Sequence, residues 1–511
     1  LGATMGDYVL RNARVPASLL PPSYAAWADA EGLVHCDVRI TRGAVAGISA
    51  AGTERGIGVE MRGCVVVACF VDAHTHLVKT HAHPRARNPT GSINDALATE
   101  LEDQPRWAAC ACCRPDAMGG GADNARFAAD GGPCENAVDV RRRMDFALAT
   151  AYHHGCRAIR THLDGTNSED PRVAATVYAA FVRCRDAWKR RGLFVQGVAN
   201  LYLPLWAGAF GFDAEAFADE AASHEDVVLG AYCGNLAETP EDESEAHFRA
   251  LLEHARTRKL PVDLHVDETN DARSRGVAVF ARALQAARAK GYSEPVILGH
   301  ATALALQPDA VAISASLAGL GCTVVCNPST NLGLQDRRGS APPHNVPIDR
   351  SMARTPRWRG LTCVQELKAA GVAVAAASDN VRDWWHPYGD YDGVEVWRNA
   401  VTLGHLDTAP CEGEWAAAVS DVPSKAMGVE RADGCAFSVG APADLVLFPR
   451  ATRLSELFSR PRDSGRVVLR NGRVQRSALP SYRLLDDLVA VATPPAPPDS
   501  EVARGATTAS A

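Results

Sequence analysis

Cys69-Phe-Val-Asp-Ala-His-Thr-His-Leu77 is the stretch around which the rest of the chain is organised. A run of β-formers, Cys64 to Val71, leads into two histidines with one residue between them. Residues i and i+2 of a strand point to the same face, so His74 and His76 aim together into one cavity at the strand's C-terminal end. Two imidazoles side by side make half of a Zn or Fe site. Alone, the pair reads equally well as two polar residues on a strand end. The polar residues at the later strand ends separate the two readings.

Downstream the chain alternates regularly. Eight short apolar runs read as buried parallel strands: Val65–Val71, Arg157–Leu163, Phe194–Asn200, Val227–Cys233, Val262–Val266, Val296–His300, Thr323–Asn327 and Val372–Ser378. Helical patterns separate most of them. Val140, Met144, Leu148 and Ala151 recur at steps of four, four and three residues with Gly155 just beyond, and Ala272 to Gly291 forms another helical segment. Eight strand–helix units fit a (β/α)8 barrel with insertions. An open doubly wound sheet is the alternative. The barrel is preferred because polar residues collect at so many strand ends.

Both chain ends have a different texture. Tyr8–Val15, Cys36–Ile40 and Val45–Ile48 are short strand-like segments punctuated by Gly and Pro. Ala443–Phe448 and Gly465–Val474 repeat that texture, and Asn471-Gly472 between apolar runs signals a hairpin. The expected organisation is therefore a small β-sandwich from residues 1–68 and 433–490, a barrel over 69–432, and a Pro/Ala-rich disordered tail over 491–511. An insertion over 104–136, with two glycine clusters, is expected to be a mobile loop.

Composition narrows the function. The chain has 511 residues, 47% hydrophobic and 22% charged, and a net charge of −7 that gives no electrostatic reason to propose nucleic-acid binding. No apolar run reaches membrane-spanning length. The start, Leu1 to Val9, lacks the layout of a secretory signal, which favours a cytoplasmic protein. Leu1 is not an initiator methionine, so the N-terminus reads as incomplete or processed, with Met5 as a candidate start, and organelle targeting stays open. The fifteen cysteines are scattered through β-rich runs, as expected of buried free thiols in a reducing compartment. Cys110, Cys112, Cys113 and Cys134 cluster in the insertion without paired CxxC spacing; a disordered, exposed loop is the better reading and a structural zinc the alternative. Homo-oligomerisation stays open.

The strand ends carry the chemistry. Strand one ends in His74 and His76. Strand five ends Asp263-Leu-His265-Val-Asp267-Glu268, strand six Leu298-Gly-His300, and strand eight Ala377-Ser-Asp379-Asn380. All strand C-termini of a barrel converge on one mouth. His74, His76, His265 and Asp379 thus bring three imidazoles and a carboxylate to one point, a set that suits one divalent ion, Zn or Fe(II), with a position left for water.

These motifs resemble the amidohydrolase superfamily, and within it the cytosine deaminase branch. The resemblance spans roughly residues 60–480. It rests on Phe70–Leu77, His265-Val-Asp-Glu268, Gly299-His300, Asn327-Pro-Ser-Thr-Asn-Leu-Gly-Leu-Gln335, Ser378–Asp383, Tyr388-Gly-Asp390, Pro84–Gly91 and Arg354–Gly360. It implies the barrel plus a small β-sandwich from both chain ends. Relatives with two metals carry a bridging Lys at the end of strand four. Here that strand ends Tyr232-Cys-Gly-Asn235, which argues for one metal.

The implied reaction is hydrolytic deamination of an amino-substituted N-heterocycle, cytosine or a close analogue, by metal-held hydroxide. A metal lowers the pKa of bound water from ~15.7 toward ~7. Asp379 accepts the water's proton, Glu268 works as general acid/base on the ring nitrogen and leaving amine, and His300 polarises the substrate or steadies the hydroxide. Asp267 is read as a supporting residue. For substrate contacts, Tyr202 falls near the position where the resembled enzymes place a Gln, and Asn200 can replace that amide. Val78 and Asn380 stand where relatives have Asp. Trp384 and Trp385 either stack on a flat ring or pack beneath the loop. These departures keep 5-methylcytosine, isoguanine and an aminotriazine open as substrates. The alternative reactions are cleavage of a cyclic amide or of an N-alkyl amino-triazine C–N bond. A non-catalytic metal-binding barrel is the reading from another class. The zinc deaminases with Pro-Cys-x-x-Cys are excluded, because the chain lacks that motif.

Overall fold

The computed structural model describes residues 6–109, 138–337, 355–408, 410–429 and 435–489. The cysteine cluster at 110–134, most of the 104–136 insertion and the tail after 490 lie outside the described residues. Strands β1 (Tyr8–Pro16), β2 (Leu33–Thr41), β3 (Ala44–Ala50), β4 (Gly58–Glu60) and β5 (Val65–Ala68) come from the N-terminal end. The next eight are β6 (Phe70–Thr75), β7 (Cys156–His162), β8 (Phe194–Tyr202), β9 (Val227–Tyr232), β10 (Val262–Val266), β11 (Val296–His300), β12 (Cys322–Cys326) and β13 (Ala373–Ala376). They pair in chain order, all parallel. A parallel bridge between Thr75 and Asp379 links the last of them back to the first, so the sheet nearly closes into a barrel. β14 (Leu445–Phe448), β15 (Val467–Arg470) and β16 (Arg473–Val474) join the N-terminal strands in a second sheet, ordered β16-β15-β14-β5-β1-β2-β3 with β4 also on β1. Asn471 and Gly472 turn the β15–β16 hairpin at φ 46° and 70°, the left-handed pair that a two-residue turn of this kind requires.

The run expected as one strand, Val65–Val71, divides between the two sheets. β5 pairs antiparallel with β14, Leu445 opposite Ala68. At Cys69 the partner changes: its N–H donates to Asp444 O, and that of Phe70 to Gly155 O. Hydropathy cannot mark this handover, because every residue from Val65 to Thr75 is buried on either side of it.

Helices cover the barrel, among them α1 (Ile93–Trp107), α2 (Asp139–His153), α3 (Pro171–Lys189), α4 (Ala214–Ser223), α5 (Glu241–Arg258), α6 (Gly276–Ala289), α7 (Ala310–Leu317) and α8 (Pro328–Leu334). α3 shows the local logic. Asp170 caps it by accepting from Arg172 N, Pro171 opens it, and Val173, Val177, Phe181, Cys184 and Trp188 bury one stripe. Gln104 to Trp107, expected within the mobile insertion, form the last turn of α1, because Trp107 is buried and donates its indole N–H to Asp103 at 3.0 Å. Every cysteine among the described residues is a free thiol, and most are buried. No helix of the described residues is long and apolar enough to cross a membrane.

Candidate active site

Thr75 separates the two histidines of β6, and alternation turns it away from them: its Oγ1 donates to Arg160 O at 2.8 Å. His74 and His76 are buried at the strand end. Room for the His74 ring comes from β11, where a Cβ on Gly299 would stand 2.6 Å from His74 Cε1. Asp379 follows β13 and donates its N–H to His74 O at 2.9 Å. Its φ is 60°, and His300 (69°) and Asp267 (53°) share the left-handed region. That region is uncommon for non-glycine residues, and three of them at strand ends of one barrel mouth mark a constrained site.

The structure brings His74, His76, His265 and Asp379 together. His76 Nε2 lies 3.2 Å from His265 Nε2 and 3.3 Å from Asp379 Oδ1. His74 Nε2 is 3.7 Å from the same oxygen. Ligand atoms each bound at ~2.0–2.1 Å to one tetrahedral ion stand roughly 3.3 Å apart. His74 Nε2 and both Asp379 oxygens are buried with no hydrogen-bond partner among the described residues. Buried polar atoms are normally paired. Imidazole nitrogens and a carboxylate left unpaired at this spacing fit a divalent cation.

Electrostatics agree with that reading. Burial, reinforced by neighbouring imidazoles, holds His74 and His265 well below the usual histidine range, in the neutral form a cation needs. His76 goes up to about 9: burial lowers it, but the Asp164 and Asp379 carboxylates together outweigh burial. Asp164 Oδ2 lies 2.9 Å from His76 Nδ1, which keeps Nε2 turned toward the cluster. Burial raises Asp379 less than His76 and His300 lower it, so its carboxylate form is favoured.

Glu268 is pushed up by burial, and its Oε1 stands 3.4 Å from His300 Nδ1. His300 Nδ1 in turn lies 2.9 Å from Asn331 Nδ2 on α8. The adjacent carboxylate, Asp267, turns away. It accepts from Gly276 N and Val277 N at 2.9 Å and from Ser274 Oγ at 2.7 Å, fixing the start of α6.

Of the expected substrate contacts, Asn200 is buried on β8 with its Oδ1 unpartnered among the described residues. Tyr202 ends that strand against Tyr232, ring centroids 5.2 Å apart. Asn380 commits its Nδ2 to Asp383 at 2.9 Å. Trp384 is 2% exposed and sits in the core, so it has no open face for a ring; Trp385, half-buried, keeps that role available.

Sequence reading passed over three residues here. His162 ends β7 with Nε2 3.3 Å from His74 Nδ1, and it joins His74, His76 and His265 in a set of ligand atoms within 4.8 Å of one another. Asp164 lies two residues beyond it, and Lys79 Nζ lies 3.4 Å from Asp164 Oδ1. The signal was present: Thr161-His-Leu-Asp164 repeats the Thr75-His-Leu77 pattern at the next strand end.

The chain matches the amidohydrolase family over residues 186–475. It is 36% identical over 491 residues to a pterin deaminase of Rhizobium rhizogenes, covering 94% of this chain and 97% of that protein. Among solved structures it is similar to 5-methylcytosine deaminase from Klebsiella pneumoniae liganded with 5-fluorocytosine, with a TM-score of 0.66 at 20% identity over 93% of this chain and 98% of that one. It is also similar to N-isopropylammelide isopropylaminohydrolase from Burkholderia multivorans, with a TM-score of 0.61 at 20% identity over 92% and 98%. The last two likenesses are of fold. The first two are of sequence, one across more than half of the chain and the other along nearly all of it, and by them the chain belongs to the amidohydrolase family.

Proposed function

We propose that this chain hydrolyses an amino-substituted N-heterocycle at the carbon bearing the amine, releasing ammonia and leaving a ring carbonyl. The observation that carries this reading is Glu268, a half-buried carboxyl raised by burial and 3.4 Å from His300, beside a cluster suited to a cation. His74, His76, His265 and Asp379 would hold one divalent ion, which when bound supplies Lewis-acid activation of water. Asp379 takes a proton from the attacking water. Glu268 gives its proton to the ring nitrogen, takes that of the new hydroxyl and passes it to the departing amine, and is recharged by the proton on Asp379, so a C–O bond forms, the C–N bond breaks and its electron pair leaves with ammonia. His300, steadied by Asn331, polarises the reacting carbon's substituent.

For the substrate we favour a 2-amino-4-oxo heterocycle of the pterin kind over cytosine. The 36% identity to a pterin deaminase supports this, whereas the likeness to 5-methylcytosine deaminase is of fold. Val78, Tyr202 and Asn380, where the chain departs from the cytosine deaminase pattern, count against cytosine.

The test is ammonia release by metal-analysed protein from pterin, cytosine, 5-methylcytosine, isocytosine and guanine. Pterin should be turned over, a chelator should abolish the activity, and added Zn or Fe(II) should restore it. Glu268→Gln should lower kcat about 10²–10⁴-fold with metal content kept. Undiminished turnover by that variant, or no ammonia from any of the five, would overturn the proposal.

A further inference from the structure

Glu100 has no part in the chemistry above, yet the chain holds it with unusual care. It sits on α1, in the connection after β6, and is 7% exposed. Three N–H donors converge on one of its oxygens. Oε2 accepts from Lys79 Nζ at 3.1 Å, from Trp385 Nε1 at 2.9 Å and from Trp384 Nε1 at 3.4 Å. Oε1 accepts no hydrogen bond from the described residues.

The donors come from two loops of the barrel mouth, Lys79 after β6 and the tryptophans after β13. Across the ring, Tyr232 at the end of β9 is 37% exposed, and burial, then Tyr202 and Glu100, raise its phenol. Glu100 is held from the β6–β13 side of the mouth. Lys79 also ties it to the reactive cluster through Asp164, at 3.4 Å, and so to His76. α1 itself is fixed, because Arg85 Nε and Nη2 donate to Asp103 at 3.0 and 2.7 Å.

A counter-ion for Lys79 would need no indole donors. Two indole N–H groups and an ammonium on one oxygen fix the direction of the carboxylate and leave the other oxygen free to accept from outside. A matching donor at such a fixed acceptor is read with discrimination.

We propose that Glu100 is a specificity-determining residue whose Oε1 accepts an N–H from the second ring of a two-ring amino-heterocycle. The proposal rests on the deaminase reading above and names its substrate class further: two-ring amino-heterocycles with a ring N–H donor beyond the ring that reacts. Oε2 is taken by Lys79 and the indoles and Oε1 presents lone pairs, so a second ring that offers only lone pairs there is disfavoured.

The test compares wild type, Glu100→Gln and Glu100→Asp on 7,8-dihydropterin, which carries N8–H, on pterin, which does not, and on isocytosine, which has no second ring. In Glu100→Gln the amide NH2 replaces the free oxygen and opposes the substrate N–H. We expect kcat/KM for 7,8-dihydropterin to fall about 30-fold or more, mainly through KM, with pterin and isocytosine changed less than about threefold. Fluorescence titration with the deaminated products should show the same ranking. Glu100→Asp keeps the charge beside Lys79 but withdraws the carboxylate, and should lose the same preference at wild-type melting temperature and metal content. Equal losses on all three substrates, or a fall confined to kcat, would overturn the inference and leave Glu100 as a partner for Lys79 alone. A wild type that deaminates none of the three would overturn the deaminase reading and this inference with it.

Discussion

Asp379 and Asp139 are both buried carboxylates beside the barrel mouth, and the chain treats them in opposite ways. Asp139, at the start of α2, accepts from Arg143 Nε and Nη2 at 3.0 and 2.6 Å and from Arg85 Nη2 at 3.1 Å. Arg143 spends its remaining donors on Val78 O and Thr80 O at 2.6 and 2.8 Å, which pins the loop after β6. Burial raises Asp139, but the two guanidinium groups bring it down to about 2. Asp379 has no hydrogen-bond partner on either oxygen among the described residues, and its backbone is left-handed. One cluster has every charge answered and the other has acceptors facing a gap. In a folded chain the answered cluster builds structure, and the unanswered one keeps its capacity for something that arrives from outside.

That contrast is sharpest when each aspartate is neutralised. Asp379→Asn should lower kcat/KM about 10³-fold or more, since the proton acceptor and one candidate ligand are lost together. The same change removes no protein hydrogen bond, so urea unfolding of the metal-free form should shift by less than about 1 kcal/mol, or in the stabilising direction. Asp139→Asn should show the reverse. Breaking a buried pair leaves two guanidinium groups under-compensated, and the expected loss is about 3–5 kcal/mol in urea unfolding, with turnover per folded molecule within about threefold of wild type. A metal-free Asp379→Asn variant that unfolds as readily as Asp139→Asn would erase the distinction.

The cluster was legible in the sequence because strand periodicity is strict. Once His74 and His76 are put on one face and strand ends are made to converge, His265, His300 and Asp379 need only a position along the chain. His162 and Asp164 obey the same rule at the end of strand two, where Thr161-His-Leu-Asp164 carries the signal. The handover at Cys69 was hidden for another reason: both sheets bury both faces of that segment, so only the hydrogen-bond partners differ. Trp384 and Trp385 are chemically identical neighbours, and the path of one loop decides which is core and which is half-exposed. Glu100 could not be found from local pattern at all. On an amphipathic helix it reads as one more carboxylate, and its meaning comes from Lys79 and two indoles distant in sequence.

Asp267 and Glu268 repeat the first contrast within two residues and give its finest test. Asp267 meets three donors at the start of α6, whereas Glu268 meets His300. Burial raises Asp267 from 3.8 to about 6, with Val277, Ser274 and Gly276 pulling against it. Between those values the folded chain holds a proton that the unfolded chain has released. Stability from this group is therefore fully present below 3.8 and lost as pH rises through about 6. Asn has no such slope and donates where Asp accepts, so Asp267→Asn should cost about 1–2 kcal/mol. The cost should be larger at pH 4 than at pH 8 in urea unfolding, and subtracting wild type removes the slope of distant groups. A penalty that grows toward pH 8 would mean that the three donors outweigh burial. Asp267 would then be a stabilised carboxylate like Asp139, and the division of labour between neighbours would rest on orientation alone.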